Sequence, residues 1–286
     1  MDVHLVPGVR IDHIQRVLKE AQEALASVRN VGSNQAVDTF NAYVRWAGSR
    51  LPVLSSVVTG PTLDGLVTSR GYYLVHGVDP RALGQQLTHL VLSEVELRLR
   101  AFEETLVEIA SRQRMWESAG TLLVPDTSVL MGQEPYLPEA AWESYVADRG
   151  DSVEVVVLHQ VLVELDRLKD RGDALRKPKT EAASATDANT RTRALRVLAW
   201  LEVNVAESKE RFVIRPDVSA GGCRVWGRLL LDGPHHVPLP VGDSEIITQA
   251  LQIQQMADRP VTLISYDRHM LFSARHLGLA AVRPTT

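Results

Sequence analysis

From Gly120 onward the chain alternates short β-rich runs with amphipathic helical stretches, and this alternation constrains its fold more than any other feature. Residues 121–125, 153–158, 212–215, 260–265 and 279–283 have the length and apolar character of buried strands. Helical patterns lie near 138–148, 160–171, 188–207, 244–257 and 269–277. Strands joined through helices predict a five-stranded parallel sheet with helices on both faces, an α/β fold. One stretch breaks the rhythm. Residues 218–240, with an Asp232-Gly233-Pro234 turn, read as an inserted hairpin or flap. Residues 169–189, rich in Lys, Ala, Ser and Thr, read as a loop.

The chain has 286 residues, room for two domains, and its first part has a different texture. Ile14, Val17, Leu18, Ala21 and Leu25 recur at helical spacing after Asp12, and Val37, Phe40, Val44, Ala47 and Leu51 repeat the pattern until Pro52 and Thr59-Gly60-Pro61. A third stripe, Leu83, Leu87, Val91, Val95, Leu99, Phe102, Leu106 and Ile109, predicts one long helix within 80–118. The expected organisation is an all-helical N-terminal domain over 1–118 and an α/β domain over 119–286. A helix that long points to packing against another domain, a second copy of the chain or a partner. A bundle that buries the stripe within one chain is the plainer alternative.

Composition narrows the functional classes. Hydrophobic residues make up 45% and charged residues 23%, which excludes a disordered chain or a fibre. No run of ~18 apolar residues occurs, so no membrane span is expected. The start lacks the basic and apolar regions of a secretory signal. The lone Cys223 cannot form an internal disulfide, which fits a reducing cytoplasm. A net charge of −4 gives no whole-chain attraction for nucleic acid, so any phosphate contact must come from a local patch.

Four acids stand where ligands bind in open α/β sheets, beyond the carboxyl ends of the strands. Asp126 follows the first strand, Glu164 lies one turn into the helix after the second, Asp243 opens the helix before the fourth, and Asp267 follows the fourth. Gathering unpaired carboxylates is costly, so such a set usually holds a divalent cation. Each acid also has a local alternative: Asp126 as a loop acid satisfied by backbone amides, Asp243 as a helix N-cap. Glu164 stands within the apolar run V-L-V-E-L, where a surface ion pair explains it poorly. Asp166, two residues on, is the competing choice and would face elsewhere on a helix. Phosphodiester hydrolysis needs an activated water and a stabilised leaving oxygen, and one or two Mg²⁺ or Mn²⁺ ions held by carboxylates supply both. Asp126 and Asp267 are the expected direct ligands. Glu164 and Asp243 would bind a second ion or orient the attacking water.

The segments D-T-S-V-L at 126–130, V-L-V-E-L-D-R-L-K at 161–169, G-D-S-E-I-I at 242–247 and S-Y-D-R-H-M at 265–270 resemble the PIN-domain ribonuclease family. In style the Glu164 segment is most similar to PIN domains attached to PhoH-type ATPases and those of eukaryotic RNA-decay nucleases. The resemblance spans residues 121–286. It implies a five-stranded parallel sheet, a Mg²⁺ or Mn²⁺ site and cleavage of single-stranded RNA. It places Asp126, Glu164, Asp243 and Asp267 as catalytic, metal-binding acids, with Ser128 as a polar helper. The family often has Asn before the third and fourth acids, where Gly242 and Tyr266 stand here. A PIN fold that binds or scaffolds RNA without cleaving it is the alternative, against which the complete set of acids argues.

Substrate contact needs positive charge near that acidic mouth. Between Arg167 and Arg196 nine basic residues face four acidic ones, and Lys169, Arg171, Lys177 and Lys179 are the candidate RNA contacts. A solvated loop and helix face is the alternative. Trp226 and Tyr266 could stack on bases or fill the core. Other signals fail. There is no phosphate-binding G-x-x-x-x-G-K-[ST] loop and no G-x-S-x-G elbow. His235-His236 lacks partners at zinc spacing and reads as a loop feature.

Overall fold

The computed structural model describes residues 3–31, 36–81, 84–117, 120–132, 137–138, 140–146, 152–171, 181–206, 211–216, 223–233 and 236–284, without the side chains of 171, 181–189 and 206. Lys177 and Lys179, and the side chain of Arg171, therefore lie outside the described residues. The chain forms two compact units, Met1–Glu117 with Gln255–Asp258, and Ser118–Gln254 with Arg259–Thr286.

The first unit is helical. α1 (Ile11–Ala26) buries Ile14, Val17, Leu18, Ala21 and Leu25, as its periodicity predicts. α2 (Ala36–Leu54) runs past Pro52, which sits in its last turn, and buries Thr39, Tyr43, Trp46, Ala47 and Leu54. That face is rotated from the predicted stripe: Val37 is exposed, because Tyr43 and Trp46 offer more area to bury than the aliphatic residues they displace. Trp46 keeps its indole N–H paired, donating to the Ala21 carbonyl at 3.0 Å. Two short helices, α3 (Gly60–Leu66) and α4 (Arg70–His76), lead to α5 (Gln85–Arg114), the long helix. Its inner residues Leu87, Val91, Val95, Phe102 and Ile109 are buried and the helix packs against α1 and α2. Leu99 and Leu106 of the predicted stripe are half-buried, and Leu83 lies outside the described residues. No helix among the described residues is long and apolar enough to cross a membrane.

The second unit is the α/β part. Its strands are β1 (Thr121–Pro125), β2 (Ser152–Leu158), β3 (Arg211–Arg215), β4 (Arg224–Leu230), β5 (Val261–Ile264) and β6 (Ala280–Val282), in the spatial order β3-β4-β2-β1-β5-β6. β1, β2 and β5 are buried on both faces, the usual state of a parallel sheet, and are apolar save for Glu154 of β2 and the terminal or half-buried Thr121, Ser152 and Thr262. Helices α6 (Thr127–Gly132), α7 (His159–Arg171), α8 (Glu181–Ala206), α9 (Gly242–Ala257) and α10 (Arg268–His276) flank the sheet.

Three expectations need correction. The sheet has six strands, not five: β4, β2, β1, β5 and β6 are parallel, and β3 joins the edge antiparallel to β4. The predicted flap over 218–240 contains β4, which pairs along its full length with β2, Ser152 opposite Arg224 through Leu158 opposite Leu230. Gly227 lets this strand sit under Phe212 of β3, since a Cβ there would fall 2.1 Å from the ring. Finally, the loop expected over 169–189 is partly helix. α7 runs to Arg171 and α8 begins at Glu181, where Ala182, Ala183 and Ala185 favour helix.

A candidate active site at the carboxyl edge of the sheet

β1 and β5 are neighbours, yet the chain leaves β1 toward β2 on one side and reaches β5 on the other. This reversal opens the crevice where open α/β sheets bind ligands. Asp126 stands at its floor. Its backbone N–H donates to the Ile264 carbonyl at 3.0 Å, extending the β1–β5 ladder by one residue. Its side chain is buried, only 6% exposed. Oδ1 accepts from Ser128 Oγ at 2.7 Å and from the Val129 N–H at 2.9 Å, and Oδ2 accepts from Ser265 Oγ. Burial raises the Asp126 pKa, the three donors oppose that, and the Glu164 charge adds to it. The carboxylate is therefore both a backbone-satisfied turn acid and an under-neutralised buried charge.

Ser265 couples two of the acids. Fully buried at the end of β5, it donates to Asp126 and accepts the Asp267 backbone N–H at 2.9 Å. Asp267 is exposed and caps α10, accepting from the His269 N–H at 2.7 Å. Glu164 is half-buried on α7, where Oε2 accepts from Thr127 Oγ1 at 2.5 Å and Oε1 from Gln160 Nε2 at 3.0 Å. Asp243 is half-buried in the first turn of α9. Its pKa is raised by burial and by the charges of Asp267 and Glu164, against a lowering by His269. These couplings bring all four predicted acids to one mouth.

The arrangement is open rather than a closed cage. Among the described residues, the set of three His, Asp or Glu side chains whose ligand atoms lie within 4.8 Å of one another is Asp232, His236 and Glu245, not three of the four acids. The four acids offer only oxygen, and hydroxyl and amide donors hold Asp126 and Glu164. That donor set suits Mg²⁺ or Mn²⁺, which take one or two carboxylates and complete their shells with water and phosphate.

The competing Asp166 is exposed and accepts from Lys169 Nζ at 2.8 Å. Lys169, one of the predicted RNA contacts, is thereby engaged on its own helix. Trp226 has the Arg211 guanidinium 4.0 Å from its ring centroid, so one of its faces is taken. Tyr266 lines the mouth half-buried, with its N–H 3.4 Å from Ser128 Oγ. Four side chains escaped the sequence reading. Thr127 and Ser265 flank acids within the quoted motifs, but hydroxyls are too common to single out. Gln160 and His269 carry no sequence signal at all.

Gly242 has a role that its sequence position hid. A Cβ at this residue would stand 2.5 Å from Glu164 Oε1 and 2.8 Å from Gln160 Nε2. The absence of a side chain lets α9 approach α7, so Gly242→Ala should push Glu164 and Gln160 aside. We expect a loss of at least ~10-fold in any activity of this site, by misplacement of one acid, with the fold retained by circular dichroism. Unchanged turnover in Gly242→Ala would show that the Glu164 position is not critical.

A model of the PIN domain matches residues 123–285, more than half of the chain. The chain belongs to the PIN-domain family. The matched segment begins inside β1 and contains all four acids together with β4. PIN domains are generally nucleases and typically use divalent metal ions, so this PIN unit has a nuclease-type fold. A search of curated proteins returned no match.

Proposed function

We propose that the PIN unit is an endoribonuclease that cleaves single-stranded RNA with Mg²⁺ or Mn²⁺ held by Asp126, Glu164, Asp243 and Asp267. The observation that carries this reading is Asp126 itself. It is a buried carboxylate at the topological switch point, tied through Ser265 to Asp267 and repelled by Glu164. A bound dication supplies an acidified water and neutralises charge on the leaving oxygen. Asp126 and Asp267 are the direct ligands in this reading, and Glu164 and Asp243 hold a second ion or orient the water. Ser128, Thr127 and Ser265 fix the carboxylate rotamers, which removes reorganisation from the reaction. Lys169, Arg171, Lys177 and Lys179 are the proposed contacts to the RNA backbone, and the cytoplasm is the proposed compartment.

Incubating the full chain with end-labelled single-stranded RNA, with Mg²⁺, Mn²⁺ or EDTA, tests the reading. Internal cleavage that requires either metal is the expected result. Binding without cleavage in both metals would assign the unit to RNA binding instead.

The same carboxylates predict a pH signature in metal-free protein. Asp126 and Asp243 have folded-state pKa values raised above the ordinary 3.8. Between 3.8 and the raised values the folded state binds more protons than the unfolded chain. Their contribution to stability is therefore full below that window and is lost as pH rises through it. Asp126→Asn removes one of these charges. Its melting temperature in EDTA should gain on that of the parent as pH rises from the window toward neutrality, and Mn²⁺ should stabilise the parent more than the variant. A pH-independent gap between the two melting curves would remove Asp126 from the repelling set.

A further inference from the structure

The segment that carries the chain from β4 to α9 holds a second polar cluster, distinct from the four carboxylates. Asp232 lies just beyond β4, Glu245 lies in the first turn of α9, and His236 lies between them in sequence. His236 Nε2 is 2.8 Å from Glu245 Oε1 and 3.8 Å from Asp232 Oδ2. The three ligand atoms all fall within 4.8 Å of one another. Glu245 is 2% exposed, and its other oxygen accepts from the Leu239 N–H at 2.8 Å. His159, the first residue of α7, places Nδ1 2.9 Å from Asp232 Oδ2.

Gln249 supplies an independent sign. Only 5% exposed, it donates from Nε2 to Asp232 Oδ1 at 2.8 Å and to Glu245 Oε1 at 2.7 Å. Its Oε1 is buried with no hydrogen-bond partner. The amide is thus turned to serve two carboxylates at the cost of its own acceptor, so the pocket is short of positive charge. Among the described residues, the only basic groups that pair with these two carboxylates are imidazoles.

We propose that Asp232, His236 and Glu245 bind a transition-metal dication of the Zn²⁺ class, with water in the fourth position. A tetrahedral ion with bonds of ~2.0–2.1 Å sets its donors roughly 3.3–3.5 Å apart. The observed 2.8 and 3.8 Å lie on either side of that spacing, so the shifts needed are small. The imidazole nitrogen separates this site from the all-oxygen one: it favours Zn²⁺ over Mg²⁺. The ion takes the Nε2 lone pair of His236, with the ring proton on Nδ1, in place of the His236–Glu245 contact. His159 and Gln249 act as outer partners that orient the ligating carboxylates. Such an ion ties Asp232 and His236 to α9 two residues from Asp243, and so fixes the start of the helix that presents one of the four acids.

The test is Zn²⁺ retention by the full chain after gel filtration, together with a Co²⁺ titration followed by visible absorption. The expected result is one tight equivalent with a d–d band, kept in Asp126→Asn, and weakened at least ~100-fold in His236→Ala and ~10-fold in His159→Ala. His236→Gln preserves a donor to Glu245 without an imidazole. It stands in for His236→Ala if circular dichroism shows the latter unfolded, with the same loss expected. Binding that survives both His236 changes, or that disappears in Asp126→Asn, overturns the proposal, as does the absence of any retained metal. In those cases the cluster is a hydrogen-bonded latch only.

Discussion

Asp126→Asn should reduce RNA cleavage at least ~10²-fold while leaving the PIN unit folded. The size follows from position: this carboxylate is the most buried of the four acids, and removing its charge weakens both water activation and stabilisation of the leaving oxygen. The fold should survive because Asn is nearly isosteric and its oxygen can still accept from Ser128 Oγ and the Val129 N–H. On the other side, the Asn amide can donate to Ser265 Oγ, which already accepts from the Asp267 N–H. The β1–β5 ladder through the Asp126 N–H is untouched. Cleavage rates for parent and variant in Mn²⁺, with near-UV circular dichroism as a folding control, check the expectation. A folded variant that cleaves RNA at the parental rate, or a parent that cleaves in EDTA, would falsify the carboxylate mechanism.

The positions of the four acids along the chain were legible because strand ends are legible. β1 and β5 are short apolar runs and β2 is apolar apart from Ser152 and Glu154, so the sequence places the acids after them on one edge. Glu164 could be preferred to Asp166 for the same reason, as an acid inside an apolar stretch. What stayed hidden depends on contacts between distant residues. The approach of Gly242 to Glu164, the bridge from Ser265 to both aspartates, and the meeting of His236 with Asp232 and Glu245 leave no periodicity behind. In the helical unit the positions of α1 were clear, whereas the α2 face turned toward Tyr43 and Trp46, whose mixed character hides them from an apolar count. β4 was missed for a different reason. The break in the alternation and the Asp232-Gly233-Pro234 turn read as a flap, yet Arg228 within that stretch is buried in the sheet. The residue that makes this possible is Glu154, on the neighbouring strand.

Glu154→Ala should therefore be among the most destabilising single changes in the PIN unit, by roughly 3–5 kcal/mol. Glu154 is fully buried on β2, and Arg228 Nε on β4 donates to its Oε1 at 2.5 Å. Arg211 Nε on β3 lies 3.1 Å from Oε2 without hydrogen-bond geometry, so its contribution is charge alone. Burial lowers the Arg211 pKa and the Glu154 charge opposes that. One carboxylate thus pins two guanidinium groups, and through them the two outermost strands on that side, to the parallel core. Removing it takes away the carboxylate that Arg228 and Arg211 share. Breaking a buried pair by removing one partner costs far more than the pair contributes. The comparison that isolates this cause is Glu154→Leu combined with Arg228→Met and Arg211→Met, which replaces all three charges by apolar groups. It should recover most of the loss, whereas a purely steric cause would leave the triple variant as unstable as Glu154→Ala. Chemical denaturation of the three proteins decides between them. Because β4 leads directly to the segment carrying Asp232, His236 and Asp243, the single variant should also lose Zn²⁺ retention and cleavage before it unfolds globally.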